Sequence, residues 1–235
     1  MELFKMQNVS FSSGNVKIID SLSLSIENGT VSAFLGKSGC GKSTSLKLLA
    51  GLYVPTHGKI LFEEKNIFSM SRQENLTFRK RTAFMFQDSA LWANQDLYNN
   101  LDLPLVTHFP NMSRAERRQR IVDIVKKVGF TKSLTLRPAA LSIGEQKQIG
   151  FARALICDPE ILFLDEPTES LDEKTSSLFI SILKDFCYNG NTMIYVSHDP
   201  DFINTFESDK YYFEQGQLKD KILAKQDESF DLYED

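Results

Sequence analysis

Apolar and polar residues alternate near the start of the chain. Leu22, Leu24 and Ile26 are separated by serines, and a turn sequence follows them. This period of two predicts a half-exposed strand, and the opening third of the chain is interpreted as strands separated by turns. Near the other end, residues 211–219 have the pattern of a hairpin that turns at Gln215-Gly216.

Three later segments are mainly apolar, and the last two of them are typical of parallel strands covered on both faces. They span residues 30–35, 161–164 and 192–196, and further strands are predicted at 58–62 and 81–86. Helical spacing follows the first of these runs and precedes the last one. These helices are predicted at 43–50 and 173–188. Strands that alternate with helices predict an α/β fold with right-handed crossovers.

The segment at about 88–145 differs from the rest of the chain because it is polar, helical in its spacing and interrupted by prolines such as Pro104. One helix in it is well specified. Ser113 and Glu116 have the spacing of a capping box, an apolar stripe follows, and Gly129 supplies the stop. We therefore predict that this segment is a helical subdomain inserted into the α/β domain.

The composition is ordinary for a chain with a packed core. It has 42% hydrophobic, 11% aromatic and 25% charged residues, which excludes collagen-like and wholly disordered classes. We expect a single domain over residues 1–225 and a solvated acidic tail at 226–235. The net charge of −4 offers no net attraction to nucleic acid, and we expect no nucleic-acid partner.

Two further features bear on where the protein works. No apolar stretch approaches the roughly 20 residues of a spanning helix, and the first residues lack the layout of a secretory signal. The three cysteines, Cys40, Cys157 and Cys187, are odd in number and lack metal-ligand spacing, so they are interpreted as reduced thiols. We therefore expect a soluble, cytoplasmic protein.

The sequence GKSGCGKS, at 36–43, fits the phosphate-binding pattern G-x-x-x-x-G-K-[ST] between a predicted strand and a predicted helix. Its backbone N–H groups can form an anion nest, and the helix N-terminus adds partial positive charge. Lys42 can reach the outer phosphates, and Ser43 is placed to bind Mg²⁺. The pattern predicts nucleotide binding by Gly36, Lys37, Ser38, Gly39, Cys40, Gly41, Lys42, Ser43 and Thr44.

Two acidic residues follow a buried strand. Asp165 and Glu166 come directly after residues 161–164, at the carboxyl edge where α/β sheets place ligands. We assign Asp165 to Mg²⁺ and Glu166 to the attacking water, as general base. The alternative is that the pair is only a turn or capping feature before Pro167.

Gln87 and His198 end two other predicted strands. Four strands would therefore deliver Lys42, Gln87, the acidic pair and His198 to one edge of a sheet. A neutral His198 could hydrogen-bond a γ-phosphate oxygen, and Gln87 could contact Mg²⁺ or the water. Taken alone, each of these two residues would more often be structural.

Together these motifs resemble the nucleotide-binding subunit of an ATP-binding cassette (ABC) transporter, over nearly the whole chain up to about residue 225. The family's signature, usually LSGGQ, appears as LSIGE at 141–145, and its aspartate-containing loop matches at Ser170-Leu171-Asp172. Phe11 lies where the family usually has a tyrosine that stacks on adenine. The resemblance implies a P-loop NTPase (RecA-like) core with an antiparallel β subdomain and an inserted helical subdomain.

The signature departs from the family pattern at two positions. Ile143 replaces a glycine and would resist a positive φ, and Glu145 replaces a glutamine. Ser142 and Glu145 also have the spacing of a plain capping box. Both interpretations can hold together, because a capped helix N-terminus aimed at a γ-phosphate is how the family's signature is understood to work.

The resemblance also implies partners. One chain supplies the phosphate loop, Asp165, Glu166 and His198, and a second ATPase subunit supplies Ser142, Gly144 and the Asp172 loop in a head-to-tail homodimer. Glu145, within the signature, is counted with the nucleotide-binding residues. It implies ATP hydrolysis with ATP and Mg²⁺, integral membrane permease subunits, and a peripheral position on the inner face of the cell membrane. We hypothesise that Leu91, Trp92 and Leu97 form part of the docking surface. The alternative is that they pack the subdomain core.

The cargo is less specified. The stretches at 86–92 and 100–105 are similar to ATPases of lipid-trafficking systems that work with mammalian-cell-entry (MCE) domain proteins. One alternative is an ATP-gated signalling or mechanical subunit of the cell-division type, which moves no solute. Another is a non-hydrolysing module marked by Ile143 and Glu145. Because Cys40 lies in the phosphate loop, we expect ATP to protect it from alkylation.

Overall fold

The computed structural model describes residues 1–224 of the chain. The strands are β1 (Glu2–Ser13), β2 (Val16–Glu27), β3 (Val31–Leu35), β4 (His57–Phe62), β5 (Lys65–Asn66), β6 (Thr82–Met85), β7 (Ile161–Asp165), β8 (Thr192–Val196), β9 (Asp209–Glu214) and β10 (Gln217–Ile222). The α-helices are α1 (Lys42–Leu49), α2 (Arg72–Arg81), α3 (Leu97–His108), α4 (Arg114–Lys127), α5 (Ile143–Leu155), α6 (Glu173–Tyr188) and α7 (Pro200–Thr205). The predicted tail at 226–235 lies outside the described residues.

The larger sheet has six strands in the order β10-β9-β3-β8-β7-β6. Five of them, β9, β3, β8, β7 and β6, run parallel, and β10 closes the edge as the antiparallel partner of β9. Every residue of β7 and β8 is buried, as their apolar sequences predict. The sheet therefore brings the carboxyl ends of β3, β6, β7 and β8 to one edge.

The smaller sheet has four antiparallel strands in the order β2-β1-β4-β5. The predicted alternation holds in β2, where Leu22, Leu24 and Ile26 are buried between more exposed neighbours. Residues of both sheets and of α1 share one apolar core, and the rings of Phe4 and Phe163 meet across it with centroids 5.6 Å apart. The phosphate loop and its helix are thus held between the two sheets.

The segment between β6 and β7 contributes α3, α4 and α5, which pack against one another and onto the other face of the larger sheet. Helix α4 begins at the predicted capping box, in which Ser113 and Glu116 exchange side-chain and backbone hydrogen bonds. Residues 87–96 are not helical, so the helical part begins later than the predicted bound. The fold is the predicted α/β arrangement with antiparallel and helical parts.

One local prediction was wrong, and one helix was not predicted. Pro104 was expected to interrupt the helical pattern, yet α3 continues through it. The buried side chains Leu101 and Leu105 on either side anchor the helix, which offsets the backbone hydrogen bond that a proline removes.

Helix α2 was not predicted, because Phe78 is its single buried residue and it has no apolar stripe. The sequence signal for α2 is its capping box, Ser71 with Glu74.

The predicted hairpin is confirmed near the end of the described chain. It consists of β9 and β10, and its turn residues Gln215 and Gly216 both have positive φ, at 48° and 78°. Among residues 1–224, no helix combines the length and the apolar character that crossing a bilayer requires.

Candidate functional site

A cleft of about 660 Å³ lies at the carboxyl edge of the larger sheet, and we call it the strand-edge cleft. It collects side chains that are far apart in the sequence because four parallel strands end at this edge. Among the predicted site residues, those that line it are Ser38, Gly39, Gly41, Lys42, Ser43, Thr44, Gln87, Glu166 and His198. Thr168, Glu169 and Asp199 also line it and were not predicted.

The phosphate loop connects β3 to α1 through glycines that no other residue could replace without strain. Gly36 has φ 140°, and a Cβ there would lie 2.3 Å from the carbonyl oxygen of Phe213. Gly41 caps α1 with φ 105°, and a Cβ there would lie 2.6 Å from Ile19 Cδ1. The glycines therefore allow the loop to pack against β2 and β9 while it turns into the helix.

Lys42, the first residue of α1, is buried within the loop. Its Nζ donates hydrogen bonds to the carbonyl oxygens of Gly36 at 2.7 Å and Lys37 at 2.9 Å. These contacts hold the ammonium inside the curve of the loop, next to the lining of the cleft. A fixed cation at a helix N-terminus is the arrangement that binds phosphate.

The Cys40 side chain belongs to the apolar core under the loop and is only 8% exposed, which limits the access of an alkylating reagent to the thiol. Protection of this thiol by ATP stays a prediction. All three cysteines are free, and burial raises the pKa of the Cys157 and Cys187 thiols to about 11, which makes them unreactive.

Ser43 and Asp165 meet at the inner end of the strand-edge cleft. Ser43 Oγ donates a hydrogen bond to Asp165 Oδ1 at 2.7 Å, although 121 residues separate them in the chain. Asp165 is buried, and its other oxygen lies 3.8 Å from Lys47 Nζ. A hydroxyl and a carboxylate at this spacing are oxygen ligands of the kind that Mg²⁺ prefers.

Glu166 follows β7 and turns its side chain into the cleft. Its backbone has φ 51°, which is uncommon for a residue with a side chain. Its carboxylate accepts a hydrogen bond from the His198 backbone N–H at 3.1 Å and lies 3.7 Å from His198 Nε2. Burial raises the pKa of the Glu166 carboxyl, and the bond from His198 opposes that shift. A carboxylate with a raised pKa is a better proton acceptor.

Gln87 lies just beyond β6 and is bound to a residue that the sequence analysis missed. Its Nε2 donates a hydrogen bond to Glu169 Oε2 at 2.9 Å. Lys147, on the buried face of α5, donates to the carbonyl oxygens of Glu166 and Glu169. One signal in the sequence could have found Lys147. It lies four residues before Phe151, so both are on the same face of the helix, and a lysine on this otherwise apolar face indicates a buried cation.

A second cleft of about 440 Å³ is separate from the first, and we call it the helix-cap cleft. It lies at the N-termini of α5 and α6 and contains Ser142, Gly144, Glu145 and Asp172. In one chain, the predicted site residues other than Phe11 therefore form two groups at two places. No polar side chain of the helix-cap cleft lines the strand-edge cleft within residues 1–224.

The capping box predicted for the signature is present. The Glu145 N–H donates to Ser142 Oγ at 3.3 Å, and the Ser142 N–H donates to Glu145 Oε2 at 2.9 Å. Lys132 forms an ion pair with Glu145 at 2.7 Å and, together with the Ser142 N–H, lowers the pKa of that carboxyl. The Glu145 side chain is thus engaged within its own chain.

The other residues of the helix-cap cleft are also held by helix caps. Ile143 is the first residue of α5, is 68% exposed and is not among the residues with positive φ, so the replacement of glycine creates no backbone strain here. Asp172 caps α6 by accepting bonds from the N–H and hydroxyl of Thr175, and the bond from that N–H lowers its pKa.

Phe11 does not lie in the strand-edge cleft. Its ring is parallel to that of Tyr53, with the two centroids 5.1 Å apart and the planes inclined by 5°. Tyr53 therefore covers one face of Phe11. Stacking of adenine on Phe11 stays a prediction, and the adenine would have to lie against the other face of the ring.

The three residues of the hypothesised docking surface have different positions. Leu97 is fully buried, which contradicts its placement on that surface, because its side chain packs in the core with α4 and α5. Leu91 is partly buried against the same core. Trp92 is 42% exposed and lines a groove of about 390 Å³ together with Leu103 and Val106 of α3.

Comparison with known proteins adds a family and two relatives. A family model described as "ABC transporter" matches residues 19–169. The intermembrane phospholipid transport system ATP-binding protein MlaF of Escherichia coli K12 is 34% identical over 198 residues, which cover 84% of this chain and 73% of MlaF. The methionine import ATP-binding protein MetN of Cutibacterium acnes is 31% identical over 215 residues, which cover 91% of this chain and 58% of MetN.

A solved structure is similar over almost the whole chain. It is the dimeric post-hydrolysis state of the ATP-binding cassette MJ0796 bound to ADP and Pi. The TM-score is 0.87 at 28% sequence identity, and the match covers 95% of this chain and all of MJ0796.

Proposed function

Because the chain belongs to the ABC transporter family, we propose that it hydrolyses ATP to drive lipid transport through separate membrane subunits. The coarser part of this statement follows from the family: the chain is an ATP-binding, ATP-hydrolysing subunit of a transporter. The finer part, a lipid cargo, is supported by the similarity to MlaF, whose name describes phospholipid transport. The observation that carries the proposal is the convergence of the phosphate loop, Glu166 and His198 in one cleft, with Asp165 bonded to Ser43 of the loop.

The loop residues bind the triphosphate in this proposal. Backbone N–H groups of residues 38–44 face the phosphates, and the ammonium of Lys42 balances their charge. The ammonium is already confined by the Gly36 and Lys37 carbonyl groups, so little side-chain freedom is lost when ATP binds.

Ser43 and Asp165 fit the role of Mg²⁺ ligands, with Gln87 as a further contact. The described residues contain no group of three or more His, Cys, Asp or Glu side chains that could hold a metal. That result suits Mg²⁺, which keeps water ligands and binds through one or two protein oxygens and the substrate phosphates. The ion would neutralise charge on the phosphates when it is bound.

Glu166 acts as the general base toward the attacking water. Its buried carboxylate has a raised pKa, and the His198 N–H fixes its orientation. The side chain of His198, which is half exposed at the rim of the cleft, is placed to hydrogen-bond the γ-phosphate. Gln87 contacts the water or the metal from the opposite strand end.

A second copy of the chain completes the site. Ser142, Gly144 and Asp172 lie in the helix-cap cleft, away from the phosphate loop of their own chain, so they serve a nucleotide held by the other copy. The dimeric form of the similar MJ0796 cassette supports this arrangement. The N-terminus of α5 then directs its partial positive charge at the γ-phosphate. The capping role of Glu145 is indirect, because it fixes the Ser142 turn.

The groove beside Trp92, Leu103 and Val106 receives the membrane subunits in this proposal. It joins these three apolar side chains with polar ones such as Asn99 and Asp102, a combination that suits an amphipathic helix, and it follows Gln87 in the chain. Binding there would hold the protein at the inner face of the cell membrane.

The first experiment tests the chemical step. Glu166→Gln should lower ATP hydrolysis by about 10²–10⁴, because it removes the general base, while ATP affinity stays unchanged. Phosphate release by the assembled complex measures the first quantity, and isothermal titration measures the second. Glu207→Gln makes the same chemical change at an exposed position after α7 and serves as the control. Normal turnover of the Glu166→Gln complex contradicts the proposed role.

The second experiment tests the cargo. The chain is assembled with its membrane subunits in vesicles that contain a fluorescent phospholipid, and transfer to acceptor vesicles is followed with ATP and with Glu166→Gln. ATP-dependent transfer that the variant abolishes supports a lipid cargo. Equal transfer with both chains, or with ATP omitted, contradicts it.

A further inference from the structure

Lys147 is a buried cation that the proposed chemistry does not use. It lies in α5, and its side chain is only 1% exposed. Its Nζ donates hydrogen bonds of 2.7 Å to the carbonyl oxygen of Glu166 and of 2.7 Å to that of Glu169. A lysine is rarely buried to this extent unless its ammonium is fully bonded, so the position has a specific structural purpose.

We propose that Lys147 is a positioning residue that fixes the backbone of residues 166–169 so that the Glu166 carboxylate stays in the strand-edge cleft. The inference rests on the proposed role of Glu166 as general base. It adds a link within one chain, because α5 begins in the helix-cap cleft at Ser142 and reaches the general base through Lys147.

The backbone of Glu166 needs such support. The residue has φ 51°, a conformation that persists only where its surroundings hold it. Its N–H donates to the carbonyl oxygen of Val196 at 2.9 Å, which continues the contact between β7 and β8. Its carbonyl oxygen accepts from Lys147. The peptide groups on both sides of the Glu166 Cα are therefore fixed, and the direction of the side chain follows from them.

Glu169 extends the link to the strand end that carries Gln87. The Glu169 carboxylate lies 4.0 Å from Lys147 Nζ and accepts a hydrogen bond from Gln87 at 2.9 Å. Burial lowers the pKa of Lys147, while the carboxylates of Glu169, Glu166 and Asp165 raise it. Lys147 thus joins α5, the loop after β7 and the loop after β6 at one point.

The test compares Lys147→Met with Lys184→Met. Methionine keeps most of the length and volume of lysine but donates no hydrogen bond. Lys184 is exposed on α6, so Lys184→Met makes the same chemical change away from the site and serves as the control. We expect kcat of the Lys147→Met chain to fall about 10- to 100-fold, because small misplacement of a reacting group has effects of this size. We expect its ATP affinity to change less than about threefold, since the hydrogen bonds of Lys147 go to the loop after β7 and not to the phosphate loop.

A double-mutant cycle separates positioning from general damage. If Lys147 acts through Glu166, then Lys147→Met should not lower the residual rate of Glu166→Gln any further. A structural role would lower the rate by the same factor in both backgrounds. Losses that multiply, or a Lys147→Met chain with normal kcat, overturn the proposal. So does a loss of ATP affinity as large as the loss in kcat.

Two safeguards keep the result interpretable. Normal turnover of Glu166→Gln alone contradicts the proposed function, whereas normal turnover of Lys147→Met beside an inactive Glu166→Gln contradicts only the positioning role. If thermal unfolding shows that Lys147→Met does not fold, Lys147→Gln replaces it in the same cycle. Its shorter amide can bond one carbonyl group, so we expect a kcat between those of the wild-type and Glu166→Gln chains.

Discussion

The two clefts of this chain are built in different ways. The strand-edge cleft takes its chemistry from the ends of parallel strands, and its charged groups Lys42, Asp165 and Glu166 are buried and bonded. The helix-cap cleft takes its chemistry from two helix N-termini, and Ser142 and Asp172 are exposed. The first cleft can therefore bind a ligand by itself. The second offers N–H groups and a hydroxyl, which can bind a negatively charged group that another molecule brings to them.

The difference has a cause in packing. Buried charges have to be bonded, so the strand-edge cleft is rigid before any ligand arrives. Capped helix ends are stable in water, so the helix-cap cleft can remain on the surface of a single chain. Changes to the phosphate-binding residues of the first cleft should therefore alter ATP binding by one chain, and changes in the second should alter only the turnover of the assembled pair.

The largest effect is expected at Lys42. Lys42→Met removes the ammonium that balances the phosphate charge, and each charge-assisted hydrogen bond of this type contributes about 1.5–3 kcal/mol. With about two such bonds lost, ATP affinity should fall about 10²- to 10⁴-fold, as measured by isothermal titration on the single chain. The Lys184→Met control should bind ATP normally. If Lys42→Met also binds normally, the strand-edge cleft does not hold the phosphates.

A smaller effect is expected at Ser142. Ser142→Asp keeps a favourable N-cap, so α5 should remain stable, but it places a negative charge where a γ-phosphate would lie. We expect ATP binding by the single chain to be unchanged and turnover of the assembled complex to fall about 10- to 100-fold. Weakened ATP binding by the single chain would show that the two clefts are not independent.

The smallest effect is expected at Glu145. Its pKa lies below the ordinary value of 4.5, mainly because of the bond from Lys132, so its stabilising effect is present above pH 4.5 and is lost as the pH falls through the lowered pKa. Glu145→Gln keeps a side-chain acceptor for the capping box but has no charge to titrate. The thermal unfolding temperature of the wild-type chain should therefore fall more steeply below pH 4.5 than that of Glu145→Gln. Parallel curves would contradict the lowered pKa of the Glu145 carboxyl.

Local signals in the sequence were sufficient for much of the fold. The phosphate loop at 36–43, the apolar strands β7 and β8, the cap at Ser113 and the turn at Gln215 all depend on neighbouring residues, and they were predicted correctly. Helix α2 was missed because Phe78 is its single buried residue, so the helix has no apolar stripe. Pro104 was misread because burial of its neighbours outweighs the cost of a proline in a helix.

The site was predictable up to the point where distant contacts decide it. Strand ends were enough to place Gln87, Glu166 and His198 in one cleft, while their roles stay predictions. The bonds of Lys147 join residues 19 and 22 positions apart, and no local pattern reports them. The side chains of Leu97 and Cys40 face the core. Their burial depends on packing against elements that are distant in the sequence, so the local pattern could not predict it.

The central claim is that the strand-edge cleft of one chain works with the helix-cap cleft of another. Mixing two inactive chains, Glu166→Gln and Ser142→Asp, tests it most directly through ATP hydrolysis of the assembled complex. In a mixed pair, the Ser142→Asp chain keeps a normal strand-edge cleft and faces the normal helix-cap cleft of the Glu166→Gln chain. With random pairing, we expect about a quarter of the wild-type rate, because half of the pairs are mixed and each has one complete site. A mixture no more active than the average of its two components would contradict the claim.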